Sequence, residues 1–232
     1  LLSGLLRTPT GLMNLLQMTV LSYYFGNNGR TPYVHYMLLL GIPAFLGQLI
    51  AAGAAPKLAD KHGAATTFAQ ANVFAGLALL SAFALFLCRP QQLTQALPFT
   101  LLILLLFCNM FCCGLVNTVQ SILIADAADQ TEKESGIRRD GIFVSGQSLL
   151  IKLSTGVSAL LQGLVFAISG FSGTAVRQIN RALYAGADFA TDPSFATPRF
   201  AMFFLFLCLP GIAYLLSALP YRKSRNPHKA PV

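Results

Sequence analysis

Six long apolar runs constrain this chain more than any other feature of its sequence. They cover residues 8–25, 34–55, 65–87, 98–124, 142–169 and 199–219, and none of them contains Asp or Glu. They are 18 to 28 residues long, and an α-helix needs roughly 20 residues to cross about 30 Å of hydrocarbon. Because unpaired backbone groups are prohibitive in lipid, such runs should form helices. The sequence therefore predicts an all-α membrane protein, with a bundle of six transmembrane helices over residues 1–220 and a basic cytoplasmic tail over residues 221–232.

The composition agrees with lipid as the solvent. Only 10% of the residues are charged and the mean hydropathy is +0.62, whereas soluble domains carry about 25% charged residues. The net charge of +8 is spread over short connectors and forms no basic face with stacking aromatics, so we expect no nucleic acid partner. The polar residues outside the runs assemble no catalytic constellation or metal motif, and we expect no enzyme activity, metal or cofactor. Because the first residue is Leu1 and not Met, we expect the chain to be part of a longer protein.

The distribution of lysine and arginine predicts the orientation of the chain, because positive residues are retained on the cytoplasmic side. With both termini inside, ten of them are cytoplasmic: Arg7, Lys57, Lys61, Lys133, Arg138, Arg139, Arg222, Lys223, Arg225 and Lys229. Five lie outside: Arg30, Arg89, Arg177, Arg181 and Arg199. We therefore expect both termini of this chain in the cytoplasm, with the tail near anionic lipid.

A single lysine lies deep inside one of the apolar runs. Lys152 is about eleven residues into the fifth run, or roughly 16 Å at 1.5 Å per residue. An amine at that depth costs on the order of 2.5 to 3.5 kcal/mol, and such residues normally face a cavity or a carboxylate. Ser145, Ser148, Thr155 and Ala159 share its face at helical spacing, which favours a hydrated path. The alternative is that Lys152 extends along its own stem to the cytoplasmic interface.

Amide side chains form a similar stripe on the fourth run. Asn109, Cys113, Asn117 and Gln120 recur at steps of four, four and three residues. Amides at such depth can bind sugar hydroxyls, or they can join helices by hydrogen bonds. Both interpretations remain open, and Asn14 and Gln17 of the first run present the same choice in weaker form.

The connector between the fourth and fifth runs is rich in charge. Asp126, Asp129 and Glu132 fall on one side of a helix end, and Arg138 and Arg139 follow shortly after them. A solvated charge run is the usual meaning of such a segment. Its place between two polar-striped helices also fits a salt-bridge latch that forms in one conformation of the protein and breaks in another.

Regularly spaced small residues predict close contacts between helices, and one amphipathic segment predicts a helix at the membrane surface. Gly47, Ala51 and Ala55 on the second run, and Ala159, Gly163 and Ala167 on the fifth, are spaced for close helix approach: they recur every four residues. In the long outer connector, residues 175–185 carry apolar side chains at helical spacing and predict a short interfacial helix. It is either a lid over a cavity or a passive surface helix.

The acidic and lysine pattern resembles that of the glycoside–pentoside–hexuronide:cation symporters, the melibiose permease-like family of the major facilitator superfamily. The resemblance rests on Asp126, Asp129, Glu132 and Arg138 and on Lys152, which lies 26 residues after the first aspartate. It covers the whole chain as helices seven to twelve of twelve. The chain departs from the family at three positions. The family commonly has an aromatic residue where this chain has Asn117, and tyrosine and glycine where this chain has Gln130 and Thr131.

The resemblance implies a plasma (inner) membrane transporter of which this chain is the carboxyl-terminal half. It would move a sugar or glycoside with Na⁺ or H⁺ by alternating access, together with an amino-terminal half that holds the cation site. Lys152 would lie at the centre of the path, with Gln147, Ser148, Asn117 and Gln120 on the sugar side. The cytoplasmic gate would comprise Asp126, Asp129, Glu132, Arg138 and Arg139. Two alternatives remain: a family relative that moves a lipid or other amphiphile, and a membrane subunit or sensor that transports nothing.

Overall fold

The regular structure of the described chain is helical. A computed structural model describes residues 2–136, 140–168 and 173–222. The α-helices within these ranges are α1 (Leu2–Leu6), α2 (Leu12–Val20), α3 (Val34–His62), α4 (Ala64–Cys88), α5 (Ala96–Ser135), α6 (Asp140–Ile168), α7 (Gly173–Tyr184), α8 (Ala196–Phe203) and α9 (Leu209–Arg222). Short 3₁₀ turns occupy Thr8–Gly11 and Pro193–Phe195, and π-helical turns occupy Leu21–Phe25 and Phe204–Cys208. The all-α prediction is confirmed for these residues.

Five helical segments within the described ranges are long and apolar enough to cross a membrane. They are Val34–His62, Ala64–Cys88, Ala96–Ser135, Gly141–Ile168 and Pro193–Tyr221, and they match the second to sixth apolar runs. The first run, residues 8–25, is instead a 3₁₀ turn, an α-helix and a π-helical turn in succession. Pro9, the second residue of the 3₁₀ turn, has no backbone N–H, which suits the first turn of a helix but not its interior. Six spanning helices therefore remain a prediction.

Two helices continue beyond their apolar runs. Helix α3 passes Ala55 and reaches His62, and α5 passes Ile124 and reaches Ser135. Each ends at a glycine with positive φ, at +84° for Gly63 and +70° for Gly136. The residues after Ile124 include Ala, Glu, Gln and Lys, which favour helix whether or not lipid surrounds them.

Small residues bring the central helices into close contact. A Cβ atom added at Gly114 of α5 would lie 2.7 Å from the Ala51 Cβ atom of α3. Gly47, Ala51 and Ala55 are all buried, so the packing stripe predicted on the second run is confirmed. Ala159, Gly163 and Ala167 on α6 are instead exposed within the described structure.

Helix α6 packs through one face onto the amino-terminal segment. The hydroxyls of Ser154 and Ser158 donate to the Thr8 carbonyl oxygen, at 2.7 and 3.0 Å. Leu150 packs against Gly4 on the same side. Of the most apolar stretch of this span only 6% is buried, against 44% in α4 and α5, so α6 lies at the edge of the described bundle.

Candidate functional site

Lys152 lies on the free side of α6. Its side chain is exposed and has neither a hydrogen bond nor an ion pair with the described residues. Leu150 and Ser154 stand two positions away, which places them about 200° around the helix. Since those two residues contact the amino-terminal segment, the lysine points away from the bundle that this chain builds.

The rest of the polar stripe shares that exposed side. Ser145, Ser148, Thr155 and Ala159 are exposed, as Lys152 is. Gln147 is half-buried and lies seven residues before Ser154, on the packed face of α6 and not on this stripe. The hydroxyls of Ser145 and Thr155 donate back to carbonyl oxygens of their own helix, at 3.0 and 3.2 Å. The stripe is therefore an uninterrupted exposed surface of α6, and its side chains make no hydrogen bond to another described helix.

Two amides of the fourth run bind the guanidinium group of Arg7. Arg7 Nη2 donates to Asn117 Oδ1 at 2.9 Å, and its Nη1 donates to Gln120 Oε1 at 3.4 Å. The guanidinium carbon also lies 5.8 Å from the centre of the Tyr214 ring, within cation–π range. These contacts join the amino-terminal turn to α5 and α9.

Deeper in the fourth run the polar side chains join helices. Asn109 is fully buried, and its Nδ2 donates to the Ala75 carbonyl oxygen of α4 at 3.2 Å. Cys113 Sγ lies 2.8 Å from the Tyr214 hydroxyl of α9. At these two positions the helix-joining interpretation holds. Asn117 and Gln120 differ, because their amide N–H groups have no partner among the described residues.

The predicted cytoplasmic gate is described only in part. Asp126 and Asp129 are exposed and Glu132 is half-buried, and all three lie on the extension of α5 beyond the fourth run. Arg138 and Arg139 lie outside the described residues. The latch therefore remains a prediction, and nothing in the described part pairs these carboxylates with Lys152.

The candidate residues thus fall into three separate groups. Lys152 and its stripe occupy the free side of α6, while Asn117 and Gln120 contact Arg7 between α5 and the amino-terminal segment. The described acidic residues lie farther along α5. Within the described ranges no three His, Cys, Asp or Glu side chains are grouped to hold a metal.

Arg199 has a structural role that the sequence does not predict, at the end of the bundle opposite to the acidic residues of α5. Arg199 is only 4% exposed, and its Nη1 donates to the carbonyl oxygens of Phe189 and Ala190, at 2.9 and 2.5 Å. Its one sequence signal is its position at the start of an apolar run. Nearby, the Ser194 hydroxyl and backbone N–H both donate to Asp192, and these bonds hold the pKa of that carboxyl below its usual value.

Long apolar helices joined by intramembrane polar contacts define a multi-pass integral membrane protein. Over residues 4–222 the sequence matches the family described as MFS/sugar transport protein, and the chain belongs to that family of transporters. The expectation of a major facilitator protein is thereby confirmed.

One relative is the uncharacterized 29.9 kDa protein in the crtE 3′ region of Pseudescherichia vulneris. It is 27% identical over 167 residues, which are 72% of this chain and 56% of the relative. The match thus spans little more than half of that protein's length. No solved structure compared with the chain matches it significantly.

Proposed function

We propose that this chain is the carboxyl-terminal six-helix half of a secondary active symporter. The complete protein would move a sugar or glycoside across the plasma membrane with Na⁺ or H⁺, by rocking two halves around a midplane site. Both termini of this chain would be cytoplasmic, and the cation site would lie in the amino-terminal half. Membership of the sugar transport family supports the substrate class.

The exposed stripe around Lys152 carries the proposal. An amine that faces hydrocarbon is costly, so a lysine in a membrane helix normally faces water or an acidic partner. Lys152 is exposed and has no acidic partner among the described residues. If the amino-terminal half closes against this side of α6, the cleft between the halves would give Lys152 water or a carboxylate, with Ser148 and Thr155 on the same wall.

A second candidate, transport of an amphiphile, is favoured by one cavity. About 60 Å³ in volume, it lies between α2, α3, α5 and the second π-helical turn. Its polar lining residues are Asn14 and Gln17, and the others are apolar. A cavity of this size would hold a short alkyl group only, with the Asn14 and Gln17 amides at its wall.

The two candidates separate in a transport assay on the full-length protein. Proteoliposomes would be given labelled methyl β-D-glucoside, methyl α-D-galactoside or a lysolipid, with and without a Na⁺ or H⁺ gradient. We expect gradient-driven glycoside uptake that Lys152→Ala reduces at least about tenfold. Lys57→Ala, which removes an exposed lysine near the end of α3, should keep uptake within about twofold.

Three results would contradict the symport proposal. Uptake unchanged by both Lys152→Ala and collapse of the gradients would reject the mechanism. Movement of lysolipid without glycoside would favour the amphiphile candidate. Exchange of neither substrate would indicate a subunit or sensor that does not transport.

A further inference from the structure

A second cavity lies where three connectors meet, at the end of the bundle predicted to face outward. Its volume is about 310 Å³. The walls come from the α2–α3 connector and the first turn of α3, the α4–α5 connector, and the loop between α7 and α8. This volume is at the lower end of the range of about 300 to 1,000 Å³ for small-molecule sites, so a ligand would be about as large as a monosaccharide.

The walls of this outer cavity are fixed by hydrogen bonds. Arg199 holds the α7–α8 loop through the carbonyls of Phe189 and Ala190. Asn27 Oδ1 accepts from the Phe189 backbone N–H at 2.9 Å, and Gln91 Nε2 donates to the Thr191 carbonyl oxygen at 3.2 Å. The three connectors are therefore joined to one another, and the cavity is preformed.

Two aromatic rings form one side of the cavity. The rings of His35 and Tyr36 have centroids 4.0 Å apart, and both residues line the cavity. Tyr36 packs in turn against Phe25 and Phe99, at 5.0 and 5.2 Å between centroids. Phe25 and Phe99 thus hold the Tyr36 ring in position. An apolar ring face beside polar groups suits a ligand that is itself apolar on one face and polar at its edges.

Hydrogen-bonding groups of both kinds remain available on the other walls. Thr94 has a hydroxyl, Gln91 an amide oxygen and Asn27 an amide N–H₂ group without a partner among the described residues. Such a mixture of donors and acceptors matches hydroxyl groups, which both donate and accept.

The charge of the cavity argues against an ionic ligand. None of the described lining residues is Lys or Arg. The one carboxylate, Asp188, already accepts from the Ala190 backbone N–H at 3.0 Å and from the Thr191 hydroxyl at 3.1 Å. An anion would find no lysine or arginine among these described lining residues to neutralise it, and a cation would compete with these internal donors.

We propose that this outer cavity is a binding site for a small neutral sugar, which would lie against His35 and Tyr36 and exchange hydrogen bonds with Asn27, Gln91 and Thr94. The inference rests on the proposed function for its biological meaning, because it would place a first capture site at the entrance of a sugar transporter. It assigns no role to Lys152.

The test is sugar protection of an engineered cysteine in the full-length protein. Thr94→Cys would be made in a Cys88→Ser background, since Cys88 is exposed near the same end of the bundle. Gln95→Cys, exposed but outside the cavity lining, is the matched control. A membrane-impermeant maleimide would be applied with methyl β-D-glucoside, methyl α-D-galactoside or tetramethylammonium.

We expect a glycoside at about ten times its Kd to slow modification of Thr94→Cys about tenfold and to leave Gln95→Cys unchanged. His35→Ala should abolish this protection, and Met37→Ala, also exposed but not in the lining, should preserve it. Size-exclusion profiles would show that each variant is folded.

Four results would overturn the inference: equal slowing at both cysteines, protection that survives His35→Ala, protection by tetramethylammonium alone, or no glycoside protection in a protein that transports glycosides. In the last case the proposed function stands. Protection that persists in a protein without any glycoside uptake would support the site and remove the proposed function.

Discussion

Arginine side chains fix two parts of this chain that are not regular helix. Arg199 is buried beneath the α7–α8 loop and supplies donors to two of its carbonyl groups. Arg7 follows α1 and supplies donors to Asn117 and Gln120. Buried carbonyl groups need donors, and Arg199 supplies them to the outer loop. Arg7 instead attaches the amino-terminal turn to α5 through side chains.

Removal of the Arg199 guanidinium should loosen the outer loop. In Arg199→Met the carbonyls of Phe189 and Ala190 lose their donors, at a cost of about 2 to 3 kcal/mol in the free energy of unfolding. We expect a lower melting temperature in detergent and faster proteolysis of the loop. Arg181→Met, which removes an exposed arginine of α7, should leave both measurements nearly unchanged; an equal effect of the two variants would contradict the assigned role.

The sequence does not reveal either arginine's partners. The charges of Arg7 and Arg199 indicate a side of the membrane but carry no information on burial. Arg7 bonds to side chains more than a hundred positions away, so no local spacing can show the pairing. The amide stripe on the fourth run was visible, but its division into helix-joining Asn109 and arginine-binding Asn117 depends on tertiary contacts.

At the scale of helices, α3 packs closely against α5 at Gly114. Here the small-residue stripe predicted from spacing is the one that packs, whereas the equally regular stripe on α6 does not. Spacing alone cannot separate the two, because both satisfy the same rule. Hydropathy likewise located the second to sixth runs, but it marks where lipid contact ends and not where a helix ends, as the extensions of α3 and α5 show.

Gly114→Ala should separate α3 from α5. The added methyl group would meet the Gln48 carbonyl oxygen and the Ala51 Cβ atom, each at 2.7 Å. Overpacking of this kind costs about 1 to 3 kcal/mol, which thermal unfolding in detergent would detect. At Gly53 of α3 no atom lies within 4 Å of an added Cβ. Gly53→Ala should therefore be neutral or stabilising, by at most about 1 kcal/mol.

In the complete transporter, the polar stripe around Lys152 on α6 should be accessible to water along its whole length. In a background without Cys88 and Cys108, we expect Ser148→Cys and Thr155→Cys to react with a charged thiol reagent about tenfold faster than Leu164→Cys, because thiolates form in water and not in hydrocarbon. Leu164 is exposed too, so accessibility within this chain would not explain a difference. Similar slow reaction at all three positions would place the stripe against lipid.

Across the whole molecule, burial is uneven. In α4, α5 and the last span 44 to 56% of the most apolar stretch is buried, but only 11% in α3 and 6% in α6. Lipid can cover the apolar side chains of both exposed helices, but it cannot satisfy Lys152. The polar side of α6 thus favours the proposed two-half transporter over a six-helix bundle that functions alone.

The chain expressed alone should therefore transport poorly or not at all. Co-expression with the amino-terminal half as a separate polypeptide should restore glycoside uptake in cells to a measurable fraction of that of the intact protein. Immunoblots of the membrane fraction would show that the chain is inserted in both cases. Full uptake by this chain alone would contradict the two-half proposal.

The unbroken length of α5 has a mechanical consequence. Its 40 residues form a rod about 60 Å long. One end adjoins the outer cavity at Thr94, and the other carries Asp126, Asp129 and Glu132. A tilt of about 5° at one end displaces the other by about 5 Å. That displacement exceeds the length of an ion pair, so a small change in angle on one side of the membrane would be enough to make or break charge contacts on the far side.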